Sequence, residues 1–169
     1  MPSSATRYAQ HRDATLAWTT FGEGPTDLLF LAGIVSHVEH VWDDPGMASF
    51  LRRLGSFARV VLMDRRGTGL SDPLDGSLTL DDEVGDITAV LDAAGSECAV
   101  LFGYLTGGPL AIKVAGERPE RVAALANPGE ILASGTVYGT VVGAGVRFKD
   151  RGTHALRDVP GRWPLFGVL

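Results

Sequence analysis

The sequence predicts an α/β chain in which a mainly parallel sheet carries helices on both faces and a short α+β segment follows. Over the first two thirds of the chain, short apolar runs alternate with stretches of helical periodicity, which is the pattern of repeated strand–helix units. After Asn127 the pattern changes to short apolar runs separated by glycine and proline. With 169 residues, 45% of them hydrophobic and 21% charged, the composition is that of an ordinary folded domain.

The first part is predicted to contain five strands and three helices. Apolar runs bounded by turn residues predict strands at 15–21, 27–31, 58–63, 99–102 and 122–126. Helical spacing predicts helices at 47–54, 80–94 and 106–118. The second helix has the clearest boundaries, because Thr79 and Asp82 have capping-box spacing and Gly95 follows the last turn. Its expected apolar face consists of Leu80, Val84, Ile87, Leu91 and Ala94.

Residues 127–169 are predicted to form a tail after a first domain at 1–126. The pattern favours a strand at 130–133, a short helix at 136–142, and an antiparallel strand pair from 146–150 and 163–168. The uncharged stretch 131–146 is shorter than the ~20 residues of a membrane-spanning helix and is interrupted by glycines. A buried strand, turn and short helix is therefore expected there.

Charge and cysteine content argue against several kinds of partner. A formal net charge of −5 gives no electrostatic reason to expect nucleic acid or an anionic membrane. Cys98 is the single cysteine, so an internal disulfide and a thiolate zinc cluster are both excluded within this sequence. We expect Cys98 to be a buried small apolar side chain. Because residues 1–17 lack the apolar run of a signal peptide, the expected location is the cytoplasm.

Leu105 occupies a position where a serine nucleophile is expected. Residues 99–108 have the pattern of a buried strand, a glycine-rich turn and the start of a helix, which is the setting of the G-x-S-x-G nucleophile elbow. Leucine has neither a proton to lose nor a lone pair with which to attack. The neighbouring hydroxyls of Tyr104 and Thr106 flank the tip of the turn, so Thr106 is only a weak candidate nucleophile.

The sequence downstream of Leu105 offers few partners for a catalytic triad. Such chemistry on this architecture needs a nucleophile, an acid and a histidine in chain order. His154 is the only downstream histidine and a weak candidate base, and the downstream acids are Glu117, Glu120, Glu130, Asp150 and Asp158. The amide of Thr106 and one from the turn at Gly33 and Ile34 are predicted to form an oxyanion-hole-like pair. This pair would bind a small carbonyl or carboxylate ligand without cleaving it.

Two further patterns have some features of cofactor sites. His37 and His40 lie near acidic residues, but two histidines in one loop do not define a metal site, so a polar loop is expected. Residues 66–72 have part of the glycine spacing of a dinucleotide fingerprint, but the third glycine and the following helix are missing. Arg66 and Asp72 are expected to fix a turn instead. No metal and no cofactor are predicted.

Several motifs, in order, resemble an α/β-hydrolase domain. They are Phe30-Leu31-Ala32-Gly33, Ser36-His37, residues 42–46 and 63–73, the elbow, and residues 119–122. The likeness covers roughly residues 6–125 and is closest to the version fused to class III adenylate cyclases in actinobacteria. It implies an incomplete α/β-hydrolase-like fold. Those domains usually carry G-x-S-E-G-G at the elbow, so Leu105 and Thr106 both depart from the pattern.

The end of the chain, residues 120–169, resembles the last quarter of a class III adenylate or guanylate cyclase catalytic domain. The motifs lie at 121–126, 128–134, 148–152 and 159–166. The resemblance implies that Arg121 matches an arginine that stabilises the cyclase transition state, whereas the position one helical turn earlier, often Asn or His, is Glu117. The metal-binding aspartates of that family belong to upstream strands with no counterpart here. Cyclase activity is therefore not expected.

The two resemblances together predict a non-catalytic remnant of a hydrolase–cyclase fusion, joined by an internal deletion near residues 120–125. One alternative is a weak ester or epoxide hydrolase with an unorthodox nucleophile such as Thr106. Another is a binding or regulatory module that associates with itself or with a class III cyclase through its tail. The tail is further predicted to cover the last strand of the hydrolase-like sheet, with Phe148, Trp163 and Phe166 burying apolar surface.

Overall fold

The computed structural model describes residues 5–33, 35–122, 131–134, 147–155 and 162–168. The chain divides into two compact units, residues 1–123 and 124–169, and each unit has a sheet of its own. The predicted domain boundary between residues 126 and 127 stays a prediction.

The first unit is built from five strands and three α-helices among its described residues. The strands are β1 (Arg7–His11), β2 (Ala14–Phe21), β3 (Asp27–Leu31), β4 (Arg59–Met63) and β5 (Val100–Gly103). The helices are α1 (Pro45–Gly55), α2 (Leu80–Ala93) and α3 (Gly107–Glu117). Short 3-10 helices lie at His40–Trp42 and Pro119–Arg121. The α/β class is confirmed, and so is the predicted order along the chain of β2, β3, α1, β4, α2, β5 and α3.

The five-stranded sheet is mixed, so the prediction of a mainly parallel sheet is wrong. Its order is β1-β2-β4-β3-β5, in which β1–β2 and β2–β4 are antiparallel and β4–β3 and β3–β5 are parallel. The antiparallel edge starts with β1, which the sequence analysis did not predict. Only Ala9 is buried in β1, so its apolar alternation is weak. A tight connection with Arg12 at φ 55° joins β1 to β2, and such a connection allows only antiparallel pairing.

Two apolar cores lie on opposite faces of this sheet, as the sequence predicts. Alternate residues of a strand point to opposite faces. In β3, Leu29 and Leu31 therefore join the core formed with α2 and α3, whereas Leu28 and Phe30 join the core formed with α1. The sheet is thereby held between α1 on one side and α2 with α3 on the other, and the loops at the carboxyl ends of β3, β4 and β5 are left free to form a site.

The helix ends agree largely with the sequence. In α1 the Asp44 carboxylate accepts a hydrogen bond from the Met47 amide (2.6 Å). The capping box of Thr79 and Asp82 begins α2, and Gly95 follows its end at φ 66°. Leu80 departs from the predicted apolar face, because its position in the first turn leaves it 54% exposed.

Cys98 is exposed, so the prediction that it is buried is wrong. It lies in the connection between α2 and β5, and burial begins one residue later at Ala99. Ala99 also forms an isolated parallel bridge with Val122, while residues 123–126 of the predicted strand at 122–126 lie outside the described part.

The second unit contains a three-stranded sheet of order β6-β8-β7. These strands are β6 (Ile131–Ser134), β7 (Phe148–Ala155) and β8 (Arg162–Val168). The predicted antiparallel pair at 146–150 and 163–168 is confirmed as β7 and β8, and β7 is longer than expected. The predicted helix at 136–142 and the side chains of Phe148, Trp163 and Phe166 lie outside what the structure describes.

In the part of the chain that the structure describes, no helix combines the length and the apolar character that crossing a membrane requires.

Candidate functional site

Leu105 sits at the tip of a sharp turn between β5 and α3. Its φ of 53° lies in the left-handed region, and its side chain is 60% exposed. The turn is closed by the amides of Gly107 and Gly108, which donate to the carbonyls of Tyr104 and Leu105 (both 3.0 Å). A Cβ at Gly107 would lie 2.1 Å from the Leu31 carbonyl oxygen, so only glycine lets the helix start this close to β3. The geometry is that of a nucleophile elbow, with a hydrocarbon at its tip.

Thr106 follows the tip at the N-cap position of α3 and is exposed. Its Oγ1 accepts a hydrogen bond from Nη1 of Arg65 (3.4 Å). A guanidinium is a permanent donor and takes no proton, so this contact does not activate the hydroxyl as a nucleophile.

Gly33 lies beside the elbow at the carboxyl end of β3. A Cβ at Gly33 would come within 3.2 Å of the Leu105 Cβ, so this loop and the elbow are in direct contact. Ile34, the other candidate for the oxyanion-hole-like pair, lies outside the described residues. The structure therefore brings two of the three predicted backbone positions, Gly33 and Thr106, next to each other around Leu105.

Arg65 ties these pieces together and was not singled out from the sequence. Its Nη1 donates to the Gly33 carbonyl and to Thr106 Oγ1 (both 3.4 Å), and its Nε donates to Glu83 of α2 (2.8 Å). The side chains of Arg65 and Glu83 are 20% and 10% exposed. Its position between a strand and a glycine-rich turn is the signal that the sequence offers, but its partners come from three distant segments.

Asp64 is fully buried behind the same loops. Its Oδ2 accepts from the amides of Val38 (3.2 Å) and Leu70 (2.9 Å), whereas Oδ1 has no hydrogen-bond partner among the described residues. Ser36 Oγ and Thr68 Oγ1 form a second link between these loops (2.8 Å). The loop after β3 is thus held against the glycine-rich loop after β4 at two successive points.

A small cavity of about 260 Å³ opens next to the elbow, between these loops and α1. Its walls are mainly apolar and aromatic, and two histidines contribute polar edges. The lining residues are Phe30, Ala32, Val35, Ser36, His37, His40, Val41, Met47, Leu62 and Tyr104. Phe30 also stacks on Phe102 and Tyr104, with ring centroids 5.6 and 6.2 Å apart. We call this cavity the elbow pocket.

His37 and His40 have local partners. Nδ1 of His37 accepts from the amides of Glu39 (3.3 Å) and His40 (3.2 Å), and Nδ1 of His40 lies 2.9 Å from the Asp43 carboxylate. Among the described residues, no group of three or more His, Cys, Asp and Glu side chains could hold a metal ion. Both histidines lie on the wall of the elbow pocket, in a loop that also carries Glu39 and Asp43.

The loop at residues 66–72 is fixed as a turn, in agreement with the sequence. Arg66 donates from Nε and Nη2 to both carboxylate oxygens of Asp86 (both 2.8 Å), and this pairing raises the pKa of the guanidinium. Asp72 accepts from the Thr15 amide (2.8 Å). Both side chains thus serve as anchors between the loop, the β1–β2 hairpin and α2.

Arg121 lies at the opposite end of β5 from Leu105. Its Nη1 pairs with Asp92 (2.7 Å) and its Nη2 donates to the Ser96 carbonyl (2.9 Å). These contacts give Arg121 a structural role at the end of α2. They do not bear on its predicted role as a cyclase transition-state residue.

The predicted acids and the base are scattered over the chain. Glu117 pairs with Lys113 on α3, and Asp150 accepts from the Gly152 amide (2.6 Å) in the second unit. Glu130 and Asp158 lie outside the described residues. His154 is in β7 opposite Trp163, in a unit separate from the elbow.

A sharp turn that connects a strand to a helix at the edge of a sheet, with helices on both faces of the sheet, is characteristic of the α/β hydrolase class of proteins. The model of the alpha/beta hydrolase fold family matches residues 28–139, about two thirds of the chain. The chain therefore belongs to the α/β hydrolase fold family. This match continues past residue 125, where the hydrolase resemblance was expected to end.

Relatives and solved structures agree with this family. The chain is 34% identical over 109 residues to the pimeloyl-acyl-carrier-protein methyl ester esterase of Pectobacterium carotovorum, covering 64% of this chain and 38% of that protein. It is 32% identical over 108 residues to epoxide hydrolase B of Mycobacterium tuberculosis, covering 63% of this chain and 26% of that protein. A hydrolase structure from Pseudomonas aeruginosa superposes with a TM-score of 0.62 at 27% identity, over 70% of this chain and 43% of that one. The matched part thus spans less than half of each relative.

Proposed function

We propose that this α/β hydrolase-fold chain binds a small carbonyl- or carboxylate-bearing ligand in the elbow pocket and does not cleave it. The observation that carries the proposal is Leu105, which occupies the tip of a preserved elbow with its side chain 60% exposed beside the pocket. Binding needs a pocket and hydrogen-bond donors: the pocket reaches the elbow at Tyr104, and the amides of Gly33 and Thr106 are the proposed backbone donors. Cleavage by the route of this fold needs a nucleophile at the tip.

Hydrolysis tests the proposal directly. Ester, lactone and epoxide substrates such as p-nitrophenyl acetate, γ-butyrolactone and styrene oxide are expected to be turned over at the background rate. Leu105→Ser is expected to stay at background as well. A serine there still needs an acid and a histidine, and the group hydrogen-bonded to the adjacent Thr106 is a guanidinium. Initial rates by absorbance or chromatography, compared with buffer alone, provide the measurement.

The second candidate function is hydrolysis through Thr106, as in a weak ester or epoxide hydrolase. Membership of a family with esterase and epoxide hydrolase relatives favours it. So does the exposed Thr106 hydroxyl one residue from the tip. Thr106→Ala and Thr106→Ser form a matched pair, because serine keeps the hydroxyl. Turnover that survives in Thr106→Ser and disappears in Thr106→Ala would establish this candidate and overturn the non-catalytic proposal.

A further inference from the structure

We propose that His37 is the fixed hydrogen-bond donor of the elbow pocket, and that it selects single-ring ligands that carry an acceptor oxygen. The inference deepens the proposed function, on which it rests, by naming the ligand class and the residue that recognises it.

The contacts of His37 determine which ring nitrogen carries the proton. Nδ1 accepts from the amides of Glu39 and His40, at 3.3 and 3.2 Å. Because both partners are donors, Nδ1 carries no hydrogen, and the neutral ring has its hydrogen on Nε2. Both hydrogen bonds of His37 within the described residues use Nδ1, so the Nε2–H remains available on a side chain that lines the pocket.

The loop that carries His37 is held in place on both sides. Ser36 Oγ is 2.8 Å from Thr68 Oγ1, and the Val38 amide donates to the buried Asp64 carboxylate (3.2 Å). The ring itself lies against His40, with centroids 4.2 Å apart. A donor that is already oriented loses little entropy when a ligand binds, so its hydrogen bond contributes to affinity.

The rest of the pocket defines the shape of the ligand. Phe30, Leu62 and Tyr104 supply apolar and aromatic wall, while Ser36 Oγ and His40 Nδ1 already have partners. A cavity of about 260 Å³ holds about nine atoms of the size of a water molecule, at ~30 Å³ each. One six-membered ring with a carbonyl or carboxylate group has this size. The chemistry therefore fits an aryl ketone, amide or carboxylate.

The test compares two probes of similar shape, acetophenone and ethylbenzene, which differ in the acceptor oxygen. Binding to the full chain is measured by NMR titration, with histidine side-chain ¹H–¹⁵N spectra as a second readout. The wild type is expected to show His37 with its hydrogen on Nε2 and to bind acetophenone about fivefold more tightly than ethylbenzene, the range of one net hydrogen bond.

His37→Asn is the informative variant, because its amide oxygen still accepts from the following amides while the ring donor is lost. It is expected to bind both probes with equal affinity. Glu39→Gln, the matched control at an exposed side chain of the same loop that does not line the pocket, is expected to keep the fivefold preference.

The outcomes separate this inference from the proposed function. A preference that persists in His37→Asn, equal binding of both probes by the wild type, or a hydrogen on Nδ1 of His37 would overturn the role of His37 and leave the pocket as a binding site. If neither probe nor benzoate binds the wild type, the proposed function fails, and the role of His37 fails with it.

Discussion

At residue 105 the backbone adopts a conformation that side chains with a Cβ generally avoid. A left-handed φ brings the Cβ close to the following carbonyl, at a cost of about 1–2 kcal/mol for an ordinary L-residue. Leu105 does so at φ 53° without burying its side chain, which is 60% exposed. The elbow is therefore maintained by its surroundings, above all by the close crossing of β5 and α3 at Gly103 and Gly107.

This strain predicts opposite effects on the free energy of unfolding for two substitutions at position 105. Leu105→Asn is expected to raise the free energy of unfolding by about 0.5–1 kcal/mol, because asparagine tolerates left-handed backbone and little apolar burial is lost. Leu105→Val is expected to lower it by about 1 kcal/mol, since a β-branched side chain is most hindered there. Urea unfolding of the three proteins measures both. If Leu105→Val and the wild type are equally stable, the backbone at residue 105 is not left-handed in solution.

Several residues that matter at this site could not be found from the sequence. The hydrogen-bond partners of Arg65 lie 18 to 41 residues away in the sequence. Asp64 accepts from Val38, which is 26 residues away. Such pairings depend on the sheet order, which periodicity does not reveal. Leu105 and Thr106 were found because their signal is local, a strand, a glycine-rich turn and a helix within ten residues. Cys98 was wrongly placed inside because its apolar neighbours begin one residue later.

At the scale of elements, the predictable features are those encoded by local periodicity and capping. The bounds of β3 agree with the sequence, and α2 has the predicted capping box. The order β1-β2-β4-β3-β5 was not predicted, because it depends on the weak strand β1. Pairing between strands is instead fixed by contacts such as that between Asp27 and Arg59, which face each other at the starts of β3 and β4.

The pairing of Asp27 with Arg59 predicts an acid-dependent part of the stability. Arg59 donates from Nε and Nη2 to the two oxygens of Asp27 (both 2.6 Å), and this hydrogen bonding holds the pKa of Asp27 below its ordinary value of 3.8. Since the folded-state pKa is the lower one, the contribution is fully present above about pH 3.8 and is lost as the pH falls through the folded-state pKa. Asp27→Asn is expected to lower the free energy of unfolding at pH 7 by about 1 kcal/mol.

Thermal or urea unfolding between pH 7 and pH 3 checks this expectation. The difference between Asp27→Asn and the wild type should shrink towards the acid end, whereas Asp75→Asn, at an exposed carboxylate, should track the wild type throughout. A difference that stays constant from pH 7 to pH 3 would contradict the assignment of the stabilisation to the charged Asp27.

At the scale of the whole molecule, the chain joins a hydrolase-type sheet to a second, smaller sheet. Strand β5 pairs with β3 on one side, and on its other side the described contact is the single bridge from Ala99 to Val122. Residues 100–103 are each only partly buried. An apolar edge of this kind invites pairing with further chain, either from the same molecule or from another.

The sequence predicts that residues 128–169 cover the last strand of this sheet, which is expected at 122–126 and whose first residue, Val122, pairs with Ala99 next to β5; deleting residues 128–169 tests whether they do. A chain ending at residue 127 is expected to lose cooperative thermal unfolding or to aggregate, because an uncovered apolar strand associates with its copies. A second variant ending at residue 161 lacks β8, the central strand of the β6-β8-β7 sheet, and is expected to behave in the same way. Size-exclusion chromatography with light scattering and thermal denaturation give the measurement. If both shortened chains stay monomeric with an unchanged Tm, residues 128–169 do not stabilise the hydrolase-type unit. Association of these residues with a second copy or with a class III cyclase then becomes the better explanation for the tail.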